Sequence, residues 1–112
     1  MKFPILVCDD SMLARKQVVR LLAKNTEFEV FQAANGQEAI HILAHQEIGL
    51  LCLDLTMPVI DGVGVLQYIK ENKIECFVVV ISADIQPEMK QKVMSLGALT
   101  FIEKPVSMGA LV

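Results

Sequence analysis

The sequence predicts a doubly wound α/β domain, a five-stranded parallel sheet with helices on both faces, and three observations carry that expectation. Short runs rich in strand formers alternate with amphipathic segments five times along 112 residues. The runs 5–8, 50–53 and 99–102 are short, uncharged and rich in strand formers, as buried parallel strands are. Three of them also close on charge: residues 5–8 on Asp9-Asp10, residues 50–53 on Asp54, and residues 99–102, one residue on, on Lys104-Pro105. Parallel strands end on one edge of their sheet, so charges spread from position 9 to position 104 should converge at the edge where α/β folds bind ligands.

The first strand is expected at about residues 4–8. A helix follows Asp10-Ser11, either of which can accept a hydrogen bond from a free N–H of its first turn. Ala14, Val18, Leu21 and Leu22 form its buried stripe, with Arg15, Lys16 and Arg20 outside it. The second strand is expected over 28–33, running to Asn35-Gly36, and the second helix over 37 to about 46. The third strand, 49–54, leads into a loop with Pro58 and Asp61-Gly62. The third helix, 63–71, presents Val63, Leu66 and Ile69 inward. The fourth strand, 76–82, holds the run Phe-Val-Val-Val-Ile. Pro87 then stands near the first turn of a fourth helix, where its missing N–H is harmless. That helix carries Met89, Val93 and Leu96 and stops at Gly97. The fifth strand is 99–103, and 107–112 remain for a truncated fifth helix. Repeated βα units imply right-handed crossovers.

Composition agrees. The length suits one domain with one proper core. Hydrophobic residues make up 54 % of the chain and mean hydropathy is +0.50, but the longest uncharged apolar stretch, 76–83, is far too short to span a bilayer. A signal peptide's extended apolar segment is missing. The net charge of −3 and a pI near 5.3 argue against direct binding to nucleic acid. Cys8, Cys52 and Cys76 fall in or beside strands, an odd count without metal-like spacing, and read as reduced thiols buried in a cytoplasmic protein.

Asp54 is the principal candidate. At the end of a buried strand its carboxylate stands at the sheet edge, and a carboxylate can attack phosphorus to form an acyl phosphate. Two neighbouring acids oppose an anionic donor: at about 5 Å and an effective dielectric near 20, each pair repels by roughly 3 kcal/mol. A hard cation resolves this, since Mg²⁺ takes one or two carboxylates, keeps waters and accepts phosphate oxygens. Asp10 and Asp54 are expected as direct ligands, with Asp9 direct or through water. Lys104 is a compact donor for a phosphoryl oxygen, and Ser82 offers a hydroxyl to another. Taken singly, Asp10 could be only a helix cap and Asp54 only a loop acid. Acids avoid one another without a partner, so their joint placement at strand ends favours a site.

Asp9-Asp10-Ser11, Leu53-Asp54-Leu55-Thr56-Met57-Pro58 with Asp61-Gly62, Ser82-Ala83, Gly97-Ala98 and Lys104-Pro105 together resemble the receiver domain of bacterial two-component response regulators. The resemblance covers nearly the whole chain. It implies the CheY-like, flavodoxin-type fold with strand order 2-1-3-4-5, the order usual for that class of doubly wound sheet. It also implies Mg²⁺-dependent transfer of a phosphoryl group from a phosphohistidine of a sensor histidine kinase, or of a phosphotransfer protein, to Asp54; Mn²⁺ is the implied substitute. By position, Asp9, Asp10 and Asp54 become the acidic metal pocket, Thr56 supplies a backbone carbonyl to the metal, Lys104 contacts the phosphoryl group, and Pro105 is commonly cis. A receiver assists its own phosphorylation and dephosphorylation without being an enzyme for an external substrate.

Phosphorylation adds charge and acceptor oxygens at one point, which can pull Ser82 and the following loop inward. Phe101 stands where similar proteins carry a Tyr or Phe that rotates with that hydroxyl. Lacking the phenol hydroxyl, it has no hydrogen bond to hold an outward rotamer; an ordinary core aromatic is the competing reading. Thr56 and Asp84, each two residues past a site residue, are expected to tune the lifetime of the acyl phosphate. The output face is expected on the fourth helix, fifth strand and fifth helix.

Other signals weigh less. His41 and His45 at i, i+4 lack a third ligand with suitable spacing. Gly62-x-Gly64 lacks the third glycine of a dinucleotide loop. The six methionines suit core or partner surface. A flavodoxin-like electron carrier would need a phosphate loop where Asp9-Asp10 stand. A Mg²⁺-dependent phosphohydrolase is expected to carry its Asp nucleophile on the first strand. Receivers usually extend the fifth helix several turns further, so the chain reads as a fragment of a longer regulator. The stretches 10–17 and 82–87 are similar to regulators fused to a CheC-type phosphatase domain; a free-standing chemotaxis-type receiver is the alternative. A homodimer formed on phosphorylation is compatible with either.

Overall fold

A computed structural model of the chain describes residues 2–55, 57, 59–83 and 86–104. The elements run β1 (Phe3–Cys8), α1 (Met12–Leu22), β2 (Phe28–Ala33), α2 (Gly36–His45), β3 (Leu50–Leu53), α3 (Gly62–Glu71), β4 (Phe77–Ser82), α4 (Pro87–Ser95) and β5 (Thr100–Glu103). The strands pair in parallel in the order β2-β1-β3-β4-β5, as expected. Residues 107–112, assigned above to a fifth helix, lie outside the described residues.

The sheet separates two cores. On one side Leu6, Cys8, Leu51, Leu53, Val78 and Val80 pack with Ala39 and Leu43 of α2, Val65, Leu66 and Ile69 of α3, and Val93 of α4. On the other, Ile5, Val7, Cys52 and Ile81 meet Val18 and Leu22 of α1. Residues of β1, β3 and β4 alternate between the two clusters, and both sets are apolar, which is why these runs show no polar face, whereas the edge strands β2 and β5 carry exposed Glu29, Gln32, Thr100 and Glu103.

Side-chain caps set the starts of α1, α2 and α3, while α4 opens on Pro87 without one. Ser11, not Asp10, caps α1, its Oγ accepting from Ala14 N at 3.2 Å. Asn35 Oδ1 accepts from Glu38 N at 2.8 Å, while Glu38 reaches back to Ala34 N at 2.8 Å, a reciprocal arrangement close to a capping box. Asn35 therefore opens α2 at Gly36 rather than merely ending the preceding loop. Asp61 Oδ1 accepts from Gly64 N at 2.9 Å, so α3 starts at Gly62, one residue early. α4 ends at Ser95, so Leu96 stands one residue past it as the C-cap, and Gly97 follows at φ 104°.

Several expectations shift. Val65, not Val63, is the buried partner of Leu66 and Ile69, and Val63 is half-buried. Ala14 and Leu21 are likewise half-buried, leaving Val18 and Leu22 as the buried core of α1's stripe. β3, β4 and β5 are shorter than expected, since Gly49, Asp54, Cys76 and Leu99 fall outside them. Phe77 at the start of β4 is 63 % exposed, so that run is not covered along its whole length. Cys8 and Cys52 are buried free thiols, while Cys76 is free but only partly buried. Burial pushes the thiols of Cys8 and Cys52 up to about 12 and that of Cys76 to about 11, leaving them protonated and inert at neutral pH.

Candidate functional site

The site is built by extending the sheet's hydrogen-bond ladder one residue past three strands. Asp9 N donates to Ala33 O at 3.1 Å, Asp54 N to Cys8 O at 2.9 Å and Lys104 N to Ser82 O at 3.0 Å. Each backbone is thus still held by its neighbour strand while its side chain is free of the apolar core. Burying any of these groups within a strand would require a partner they lack there. One residue later, their polar heads meet at the carboxyl edge.

Carboxylate oxygens of Asp9, Asp10 and Asp54 all lie within 4.8 Å of one another. Asp9 and Asp54 are buried, at 4 % and 5 % exposure, whereas Asp10 is exposed. Lys104 Nζ stands 2.8 Å from Asp9 Oδ2 and 3.5 Å from Asp54 Oδ1. The other oxygen of Asp9 accepts from Ser11 N at 2.9 Å, so both are already engaged. Ser82 is buried at the carboxyl end of β4, and Phe101 is half-buried in β5. Thr56, Asp84 and Pro105 lie outside the described residues.

Electrostatics follow from this crowding. Burial is the main cause that pushes Asp54 up to about 6, with the charge of Asp9 adding to it and Lys104 pulling it down. Burial draws Lys104 downward, but its hydrogen bond to Asp9 and the charges of Asp54 and Asp9 outweigh that and leave it above the ordinary lysine range. Three acids against one ammonium leave uncompensated negative charge. The donor set is oxygen alone, with one exposed carboxylate beside two buried ones, and it fits a hard divalent cation such as Mg²⁺.

Arg15, taken from the sequence as a surface decoration, is part of this edge. Its Nη1 donates to Asp9 O at 2.7 Å and its Nε to Gln32 Oε1 at 3.2 Å. The signal was its place four residues after the capping Ser11, which returns it to the sheet edge. Gly62 closes the site from α3: a Cβ there would fall 2.5 Å from Asp54 O. His41 and His45 are exposed with ring centroids 4.4 Å apart. Among the described residues, the group of three or more metal-capable side chains is the aspartate cluster and not these histidines.

Residues 5–112 match the response regulator receiver domain. A protein-glutamate methylesterase/protein-glutamine glutaminase of Clostridium acetobutylicum is 36 % identical over 107 residues, 93 % of this chain and 31 % of that protein. The chain spans about three-tenths of the length of the methylesterases it matches. Chemotaxis protein CheY of Bacillus subtilis is 33 % identical over 90 % of this chain and 84 % of its own. Among solved structures, the CheX–CheY–BeF₃–Mg complex of Borrelia burgdorferi superposes with a TM-score of 0.88 at 33 % identity, covering 97 % of this chain and 83 % of that one.

Proposed function

This chain belongs to the response regulator receiver domain family, and from that premise we propose that Asp54 accepts a phosphoryl group from the phosphohistidine of a sensor histidine kinase or phosphotransfer protein. The observation that carries the reading is the meeting of Asp9, Asp10 and Asp54 at one sheet edge with Lys104 among them. An Asp54 oxygen forms the new P–O bond as the donor's P–N bond breaks. The imidazole nitrogen leaves with the electron pair and takes a proton from water. With its pKa near 6, Asp54 is ionised in most molecules at neutral pH, yet burial denies it the full hydration that would blunt its attack. Lys104 meets a phosphoryl oxygen on transfer, loosening its hold on Asp9.

Asp10 and Asp54, Asp9 directly or through water, and the Thr56 carbonyl would hold Mg²⁺, or Mn²⁺ in its place. When bound, the cation offsets the acids and accepts phosphate oxygens, so that an anionic donor can approach. Ser82 then turns its hydroxyl to the new phosphoryl group and Phe101 follows inward. This alters the surface of α4 and β5 that an output domain or partner reads. The near-full overlap with a CheY favours a free-standing receiver, and the partial overlap with methylesterases favours a regulatory domain of a longer chain. A CheC-type output is a third reading, of the latter kind. Free thiols suit a cytoplasmic setting, and no described helix is long and apolar enough to cross a membrane.

Incubation with acetyl phosphate and Mg²⁺ should add one phosphoryl group, read by mass spectrometry. Chelation or Asp54→Asn should abolish it. A folded chain that stays unmodified under those conditions overturns the reading.

A further inference from the structure

His41 and His45 form a pair that the phosphoacceptor reading leaves unused. They stand one turn apart on α2, both exposed, with ring centroids 4.4 Å apart and planes tilted by 37°. His45 Nδ1 lies 2.8 Å from the His41 carbonyl oxygen. A carbonyl only accepts, so Nδ1–H is the donor, and in the neutral ring Nε2 keeps its lone pair for another partner. Histidines that ligate metals are oriented in the same way, by giving their other N–H to a carbonyl or a carboxylate. Among the described residues no hydrogen bond holds the ring of His41, so its Nε2 can turn to the same point.

The spacing also selects a cation. With metal–nitrogen bonds of about 2.1 Å, two imidazoles at a right angle about one ion hold their ring centres about 4.6 Å apart, against about 5.3 Å at the tetrahedral angle. The pair is close to the first value, which suits tetragonal Cu²⁺ and Ni²⁺ better than tetrahedral Zn²⁺. His45 is the last residue of α2, where the carbonyl end of a helix favours positive charge. Glu38, which lines one groove of about 450 Å³ with His41, adds a negative charge one turn earlier.

We propose that His41 and His45 form a second metal site, which chelates Cu²⁺ or Ni²⁺ through their two Nε2 atoms while waters complete the shell. It differs from the aspartate cluster in both chemistry and place. The cluster is all oxygen and suits a hard cation, whereas imidazole nitrogen suits the later transition metals. The other end of α2 lies beside the aspartates, with Cys8 Sγ 3.4 Å from Asn35 O, so the ten-residue helix puts roughly 14 Å between the two sites. A chelated ion ties residues 41 and 45 across the final turn and favours the helical form of α2 over a frayed one. Because Ala39 and Leu43 of this helix sit in the larger core, the gain is felt by the whole domain.

The test titrates Ni²⁺ calorimetrically into the untagged chain with Mg²⁺ in excess, so that the aspartates are occupied. Wild type should bind one Ni²⁺ per chain. His41→Ala and His45→Ala should each weaken that binding at least about tenfold, because a second ligand fixed on the same helix acts at high effective concentration. Asp10→Asn should leave it within about twofold. Ni²⁺ should also raise the urea midpoint of wild type and not that of the double histidine variant. A wild-type chain that binds no Ni²⁺ overturns the proposal. So does a loss confined to one histidine variant, which would mean coordination by a single imidazole. Affinity unchanged in both histidine variants overturns it too, and a loss in Asp10→Asn alone would place the ion among the aspartates.

Discussion

Replacing Asp54 by Asn should stabilise the Mg²⁺-free protein at neutral pH, although it removes the group the site is built around. Folding raises the Asp54 carboxyl from 3.8 to about 6, chiefly by burial and then by the charge of Asp9. The folded protein therefore holds this proton more tightly than the unfolded chain does. The stability it contributes is complete below pH ~4 and is lost as pH rises through ~6. A difference of about two pKa units, at roughly 1.4 kcal/mol each, amounts to about 3 kcal/mol by pH 7.5 and only about 0.5 kcal/mol at pH 4. Asparagine has nearly the same shape and keeps an oxygen toward Lys104, but cannot ionise. Urea denaturation in a chelator should show Asp54→Asn ahead of wild type by up to about 3 kcal/mol at pH 7.5, with the gap closing toward pH 4. Adding Mg²⁺ at pH 7.5 should narrow it, because the cation stabilises the carboxylate and not the amide. Equal stability at pH 7.5, or a gap that ignores pH, would show that the buried charge is not the cost assigned to it.

Asp10→Asn should weaken Mg²⁺ binding at least about tenfold in a calorimetric titration while barely changing the urea midpoint in a chelator, since Asp10 is exposed and its energy lies in the cation. Gly62→Ala should cost roughly 1–3 kcal/mol in urea unfolding, because the added methyl meets the Asp54 carbonyl. Thr56→Ala and Asp84→Ala should each alter the decay rate of the phosphorylated chain, followed by loss of acid-labile phosphate. Unchanged decay in both would make those residues bystanders.

Much of this molecule was legible because its strands announce themselves twice, by apolar runs and by the charges that end them. Asp9, Asp54 and Lys104 were read as strand ends, and each does sit where a strand stops and the ladder's last amide still bonds. Element boundaries were less legible. Asn35 and Asp61 look like loop residues until their side chains are seen capping helices that begin at the next glycine. Arg15 was missed because a helical cation reads as solvated unless one knows that a backbone carbonyl waits at its tip. The left-handed backbone of Val59, an exposed residue between β3 and α3 at φ 69°, was invisible for a different reason: an exposed valine is commonplace in a sequence, and only its φ marks it. Cys76 and Phe77 were expected inside because the pattern of a strand does not say where along its length the covering helices stop.

The three amides that carry the ladder beyond its strands have a consequence for biosynthesis. Lys104 stands one residue past the last strand described, and the acids it meets stand one residue past the first and third in chain order. A nascent chain with only its earlier strands exposed holds the aspartates without their ammonium and without the edge that aims it. Asp9 and Asp54 therefore gain their ammonium partner only when β5 docks.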